Sequence, residues 1–173
     1  MDSGLTPFDT TLGDGRALHI RAMQMTDETE LLQAFERLSP DARYMRFMRA
    51  VHEPNLERLR KAIASFPESG LAIVATVPAA DGFDIVGSSI FVIGSDPATC
   101  EFAMTIAADY SGARLGRTLL TTLIDAARRR GLREMEGFVL TENIAMLRLA
   151  ARVGFSVSPD PEDPTMRICH LRL

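Results

Sequence analysis

Apolar residues along this chain recur at two different spacings, and each change of spacing marks a new element. Arg16-Ala17-Leu18-His19-Ile20-Arg21 alternates polar and apolar positions, as a half-buried strand does, and Asp14-Gly15 just before it is a turn signal. Thr26-Asp27-Glu28-Thr29 then opens a helix with Thr26 at its cap, and Leu31, Leu32, Phe35 and Leu38 form its apolar stripe. Ser39-Pro40-Asp41 starts a second helix, where proline's missing N–H does no harm. A third runs from Pro54-Asn55-Leu56 to about Ser65, with Leu56, Leu59 and Ile63 at helical spacing and Pro67 to Gly70 as its breaker.

The spacing then turns to that of strands. Leu71–Val77 and Ile85–Ile93 flank the turn-rich Pro78-Ala79-Ala80-Asp81-Gly82, and Gly94 to Pro97 leads into the short apolar run Glu101–Ile106. Leu115, Leu119, Leu123 and Leu120, Ile124, Ala127 mark an amphipathic helix that ends in Arg128-Arg129-Arg130-Gly131, with cations at the negative end of its dipole. Glu134–Leu140 reads as a strand returning parallel to Glu101–Ile106 through that helix. A last helix is capped by Thr141-Glu142-Asn143 and ended by Gly154, and two strands, Phe155–Val157 and Met166–Leu171, close the chain. The pattern predicts an α/β (α+β) fold, a mixed central sheet of about seven strands with helices on both faces. Residues 1–15 read as a loose lead-in and 16–173 as one domain.

Composition narrows the classes. No apolar run reaches the length of a membrane span, and Met1-Asp2-Ser3-Gly4-Leu5 lacks a basic region followed by an apolar one, so a cytoplasmic protein without membrane contact is expected. With 19 basic and 23 acidic side chains the chain is slightly acidic, which speaks against nucleic acid as a partner. Cys100 and Cys169 are too far apart in sequence for a metal knuckle and read as reduced core residues, and His19, His52 and His170 form no cluster, so no metal is expected. The mixture Arg43, Tyr44, Arg46, Phe47 and Arg49 reads first as an amphipathic helix with solvated arginines, second as a surface for an acidic partner.

The chemistry concentrates between the fourth run of β-formers, Glu101–Ile106, and the long helix. Ala107-Ala108-Asp109-Tyr110-Ser111-Gly112-Ala113-Arg114-Leu115-Gly116-Arg117-Thr118 reads as a strand, a small-residue loop and a helix start. Unpaired N–H groups and the positive dipole end meet there, Arg114 and Arg117 add charge, and Gly112 and Gly116 leave room for close approach, all of which suit a phosphate. A plain strand-to-helix turn with packing glycines is the competing reading. A Walker loop is excluded because Gly112 and Gly116 enclose three residues and Arg117 replaces the lysine, and the dinucleotide fingerprint has another spacing.

Ser111-Gly112-Ala113-Arg114-Leu115-Gly116, the helix opening Thr141-Glu142-Asn143 and the ending Arg152-Val153-Gly154-Phe155 together resemble the GNAT acyltransferase superfamily from about Arg16 onward. The loop is similar to the Gln/Arg-x-x-Gly-x-Gly/Ala motif that holds the pyrophosphate of coenzyme A, with Ser111 in place of the first polar residue and Arg114 in place of the middle glycine. Glu136–Asn143, Leu38-Ser39-Pro40 with Arg43-Tyr44-Arg46-Phe47, and Asp160–Pro164 resemble the protein lysine acetyltransferase (Pat) branch.

The resemblance implies an acetyl-coenzyme A dependent N-acetyltransferase acting on a primary amine, either a protein lysine or a small molecule. It implies Glu101 as general base, and a coenzyme A site formed by Ser111, Gly112, Ala113, Arg114, Leu115, Gly116, Arg117 and Thr118. The backbone of Ile106, Ala107 and Ala108, freed by a splay between strands, and Asn143 at the next helix start would hold the pantetheine arm. One departure is clear: the tyrosine that many members place seven residues after this asparagine, to protonate the leaving thiolate, is Ala150 here. A coenzyme A binding sensor or interaction module without turnover is the alternative reading.

Overall fold

The computed structural model describes residues 4–112 and 114–173. Eight strands form one sheet in the order β1-β2-β3-β4-β5-β6-β8-β7. These are β1 (Phe8–Thr11), β2 (Ala17–Ala22), β3 (Gly70–Ala79), β4 (Gly82–Ile93), β5 (Thr99–Ile106), β6 (Glu134–Leu140), β7 (Ser156–Pro159) and β8 (Met166–Arg172). The helices are α1 (Glu28–Glu36), α2 (Pro40–Phe47), α3 (Leu56–Ala64), α4 (Leu115–Arg129) and α5 (Ile144–Arg152). The strand beyond the expected seven is β1, inside the stretch read as a loose lead-in. It pairs Phe8 with Ile20 through Thr11 with Ala17, so the polar Thr and Asp residues there are those of an edge strand.

Local chemistry fixes the helix starts. Ser39 and Asn55 accept from the N–H groups of Ala42 (3.1 Å) and Arg58 (2.9 Å), with Pro40 in the first turn of α2. The first helix differs from expectation: a 3-10 turn over Met25–Asp27 precedes α1, and Asp27, not Thr26, organises it. The Asp27 carboxylate, 1% exposed, takes both Nη1 and Nη2 of Arg21 at 2.7 Å and the Gln24 N–H at 2.8 Å. A buried carboxylate is tolerable only with such a full set of donors, and this one ties β2 to the start of α1. The same hydrogen bonds hold the Arg21 guanidinium above its ordinary value.

The arginines of α2 are also less solvated than the sequence suggests. Arg43 lies 4.3 Å from the Phe35 ring and donates to the carbonyls of Phe35 and Glu36, capping the end of α1. Arg46 lies over Phe47, and burial pushes its guanidinium below its usual value, with Arg58 adding to the effect and Glu101 opposing it.

Helices pack on both faces of the sheet. On one, Leu115, Leu119, Leu120, Leu123 and Ile124 of α4 are buried, and each contributes about 1.5–3 kcal/mol of transfer free energy. Gly87 permits this close approach, since a Cβ there would lie 2.9 Å from Leu119 Cδ1. Glu101 is on the other face, near Arg46 of α2.

Strands β3 and β4 pair along most of their length, with a register shift that leaves Val86 as an extra residue opposite Ala75 and Thr76. Strand β4 then pairs with β5 from Ile93/Cys100 to Gly87/Ile106. Strand β6 runs parallel to β5 for only three pairs, Thr99/Glu134, Cys100/Met135 and Glu101/Glu136, while it pairs with β8 along its full length. The chain therefore opens a gap between β5 and β6 directly after Glu101. At its root the Phe102 ring lies over Gly137, where a Cβ would come 2.3 Å from Phe102 Cε1, and packs 5.0 Å from the Phe155 ring.

Gly137→Ala should therefore cost about 1–3 kcal/mol of stability by overpacking. Denaturant unfolding checks this; Gly82→Ala, where a Cβ meets nothing within 4 Å, tests what backbone strain alone costs at a glycine of positive φ.

Candidate active site

The site lies at the two ends of the gap. At its closed end stands Glu101, exposed on the sheet face, with Glu136 directly beside it on β6 and His170 next in the row on β8. The His170 Nε2 is 3.3 Å from Glu134, one turn of the pleat away. Val92, paired with Glu101 on β4, is 42% exposed, and Phe138 on β6 is 37% exposed, so this face is open around the carboxylate.

At the open end, β5 passes into a 3-10 turn over Ala108–Tyr110 and then into α4. Ala107 donates its N–H to the Val86 carbonyl at 2.9 Å, the group that the β4 irregularity turns toward it. The Ala107 and Ala108 carbonyls accept from Tyr110 (2.9 Å) and Ser111 (3.1 Å). Ile106 remains paired with Gly87. The strand edge facing β6 is the free one, so of the expected trio the Ala107 N–H is already used and the β6-facing side is what a ligand could pair with.

Two departures to positive φ shape the loop. Gly112 has φ +77, and Arg114, at the helix cap, has φ +73 and ψ +3. A non-glycine residue in this left-handed region is uncommon, and here arginine adopts the conformation for which glycine is the natural choice. The helix then presents the N–H groups of Leu115, Gly116 and Arg117, the first turn of any helix, while the Thr118 N–H is bonded to Arg114 O at 3.1 Å and the Ser111 N–H to Ala108 O. Ala113 lies outside the described residues. Gly116 also serves packing, since a Cβ there would lie 2.9 Å from Leu149 Cδ2 on α5. Gly112, with nothing within 4 Å of such an atom, is the open one.

Sequence reasoning missed Arg16. Its guanidinium donates to Asp14 at 2.9 and 2.6 Å and to the Asp109 carbonyl at 2.9 Å, and it lies 3.9 Å from the Tyr110 ring centre. It thus pins the β1–β2 turn against the loop and holds the Asp14 carboxyl below its usual range. Tyr110 is the platform for this contact, a structural role. An Asp-Gly-Arg turn is a generic hairpin signal, and nothing in it announces a partner so far along the chain.

Asn143 caps α5, its Oδ1 accepting from the Met146 N–H at 3.2 Å, while the amide nitrogen of the same side chain makes no hydrogen bond with the described residues. Ala150 is fully buried on this helix, so no proton donor occupies that position. The thiols are no substitute: burial pushes Cys100 up to about 12 and Cys169 up to about 11. Among the described residues no group of His, Cys, Asp and Glu could hold a metal ion.

The site has the donor set of an anion cradle at the end of an opened strand pair. The family model described as Acetyltransferase (GNAT) domain matches residues 17–156. The chain belongs to the GNAT acetyltransferase family. A relative, Acetyltransferase PA5475 of Pseudomonas aeruginosa, is 35% identical over 163 residues, covering 94% of this chain and 88% of its own. The GNAT domain of S. lividans PAT superposes with TM-score 0.87 at 18% identity, over 96% and 97% of the two chains. A Salmonella typhimurium protein described as yncA, a putative acetyltransferase with its cofactor acetyl-CoA, gives 0.70 at 23% identity, over 91% and 95%. This GNAT chain is an acetyltransferase, of a family whose acyl donor is acetyl-coenzyme A.

Both cysteines of this GNAT domain should resist a thiol-labelling reagent at pH 8 in the folded protein and react fully in denaturant, because neither is exposed nor ionised at that pH. Mass spectrometry of the labelled protein reads the outcome; rapid native labelling of either would contradict the buried placement.

Proposed function

We propose that this protein transfers an acetyl group from acetyl-coenzyme A to a primary amine, a protein lysine foremost, with Glu101 as general base. The observation that carries the reading is the position of Glu101 on the last shared pair before β5 and β6 part, on the same strand that ends in the phosphate-type loop. The residues present suit the coenzyme: an anionic pyrophosphate matches the N–H groups of Leu115, Gly116 and Arg117, the open backbone at Gly112 and the cationic side chain of Arg117, and Arg114 adds a second cation at the loop. Asn143 and the β6-facing edge of β5 suit the amides of the pantetheine arm. From Glu101 to Ile106 an extended strand spans roughly 16 Å, which an arm laid in the gap would bridge.

When bound, the coenzyme supplies the acyl group as a thioester. An alkyl amine with a pKa near about 10 is almost wholly protonated at neutral pH, so it must lose a proton before it can act as nucleophile. Glu101, exposed and without an ion-pair partner among the described residues, is the carboxylate placed to take that proton, directly or through water. With Ala150 where other members carry a tyrosine, the leaving thiolate is protonated by water or by the proton taken from the amine. The open sheet around Glu101, with Val92 and Phe138 exposed, favours a large acceptor such as a protein side chain over one that must be enclosed. The likeness of Glu136–Asn143 and Leu38–Phe47 to the Pat branch points the same way.

Glu101→Gln should lower turnover by about 10²–10⁴-fold while leaving acetyl-coenzyme A affinity unchanged. Thiol release with amine and protein acceptors, alongside calorimetric titration of the donor, reads both quantities; full turnover by the variant across a pH series would reject Glu101 as the base. Mass spectrometry of acetylated lysines in a protein mixture tests the acceptor.

A further inference from the structure

Arg114 differs from Arg117, the other cation of the loop, in its backbone, which is held at φ +73, and in the direction of its side chain; its guanidinium makes no hydrogen bond or ion pair with the described residues. The neighbouring Arg16 is already committed to Asp14 and to the Asp109 carbonyl, and Asp14 is thereby neutralised as a partner for Arg114. The Arg114 side chain extends away from the helix toward the β1–β2 turn: a Cβ on Gly13 would lie 3.7 Å from its Cδ and 3.8 Å from its Nε. Gly13, Asp14, Arg16, Ser111, Gly112 and Arg114 together line a depression between turn and loop.

Backbone N–H groups and the Arg114 side chain thus address different places. The amides of Leu115 to Arg117 point along the helix axis, while the guanidinium lies to one side, over the hairpin turn. Coenzyme A carries two separate phosphoanionic groups, the pyrophosphate and the 3′-phosphate of its ribose. A planar guanidinium suits a terminal phosphate, which offers three oxygens, better than a bridging diester already held by amides. The geometry points to Arg114 as a specificity-determining residue that binds the ribose 3′-phosphate in the depression beside Gly13, and so selects coenzyme A thioesters over those lacking that phosphate. This inference rests on the reading of the loop as the coenzyme A site.

The test is calorimetric titration of wild type, R114G and R114K with acetyl-coenzyme A and with its 3′-dephospho analogue. Wild type should bind the analogue about tenfold more weakly or worse, the loss of one charge-assisted contact. R114G should lose about the same factor for acetyl-coenzyme A and bind the two donors alike, and R114K should keep part of the preference. Glycine is at ease at this φ, so R114G should melt no lower than wild type, which keeps the variant informative. Equal weakening of both donors in R114G, or a 3′-phosphate preference that survives the substitution, would overturn the role of Arg114 alone. Failure of wild type to bind either donor would instead overturn the loop as the coenzyme site, and with it this inference.

Discussion

Strands β5 and β6 run parallel through three residue pairs and then separate, and the chemistry of this domain depends on that separation. A parallel sheet normally continues its ladder, because an unpaired strand edge wastes backbone hydrogen bonds. Here the cost is offset from both sides. Strand β6 completes its pairing with β8 over its full length, and β5 does the same with β4 as far as Gly87/Ile106. Phe102, seated over Gly137 and against Phe155, packs at the root of the gap. One edge of β5 is left to pair with something else, between a carboxylate at one end and the start of α4, with its free N–H groups, at the other.

The loop at the far end is built by contacts from distant parts of the chain. Val86, displaced by the β4 irregularity, accepts the Ala107 N–H, and Arg16 reaches from the β1–β2 turn to the Asp109 carbonyl and the Tyr110 ring. These contacts fix where β5 ends and α4 begins. The buried leucines of α4 then hold the helix against β4, with Gly87 allowing the close approach. An arginine in the left-handed region at such a junction is sustained only because the elements on both sides are anchored.

Much of this was legible in the sequence because the signals were local. The 3.6-residue spacing of Leu115, Leu119 and Leu123, the helix starts at Ser39-Pro40-Asp41 and Pro54-Asn55-Leu56, and the run Glu134–Leu140 each became the element expected. Family motifs pointed to Glu101, the loop and Asn143, and the fold brings all three to the two ends of one gap. What was not legible depends on contacts between remote segments. The strand at Phe8–Thr11 is polar and gains its identity only by pairing with β2. Arg43 and Arg46 look solvated from their own helix, yet pack onto Phe35 and Phe47 of α1 and α2. The packing of Gly116 against Leu149 is likewise a contact between remote segments.

The central claim is that acetyl-coenzyme A lies along the gap between β5 and β6, with its phosphates at the start of α4. Amide hydrogen exchange of the full chain with and without acetyl-coenzyme A tests it most directly, because the groups concerned are backbone N–H donors. Exchange should slow at Leu115, Gly116 and Arg117, along the end of β5 and at the start of α5, and remain unchanged in α1 and at the β3–β4 turn. Saturating donor that leaves the first turn of α4 exchanging as before, with protection appearing elsewhere, would contradict the account.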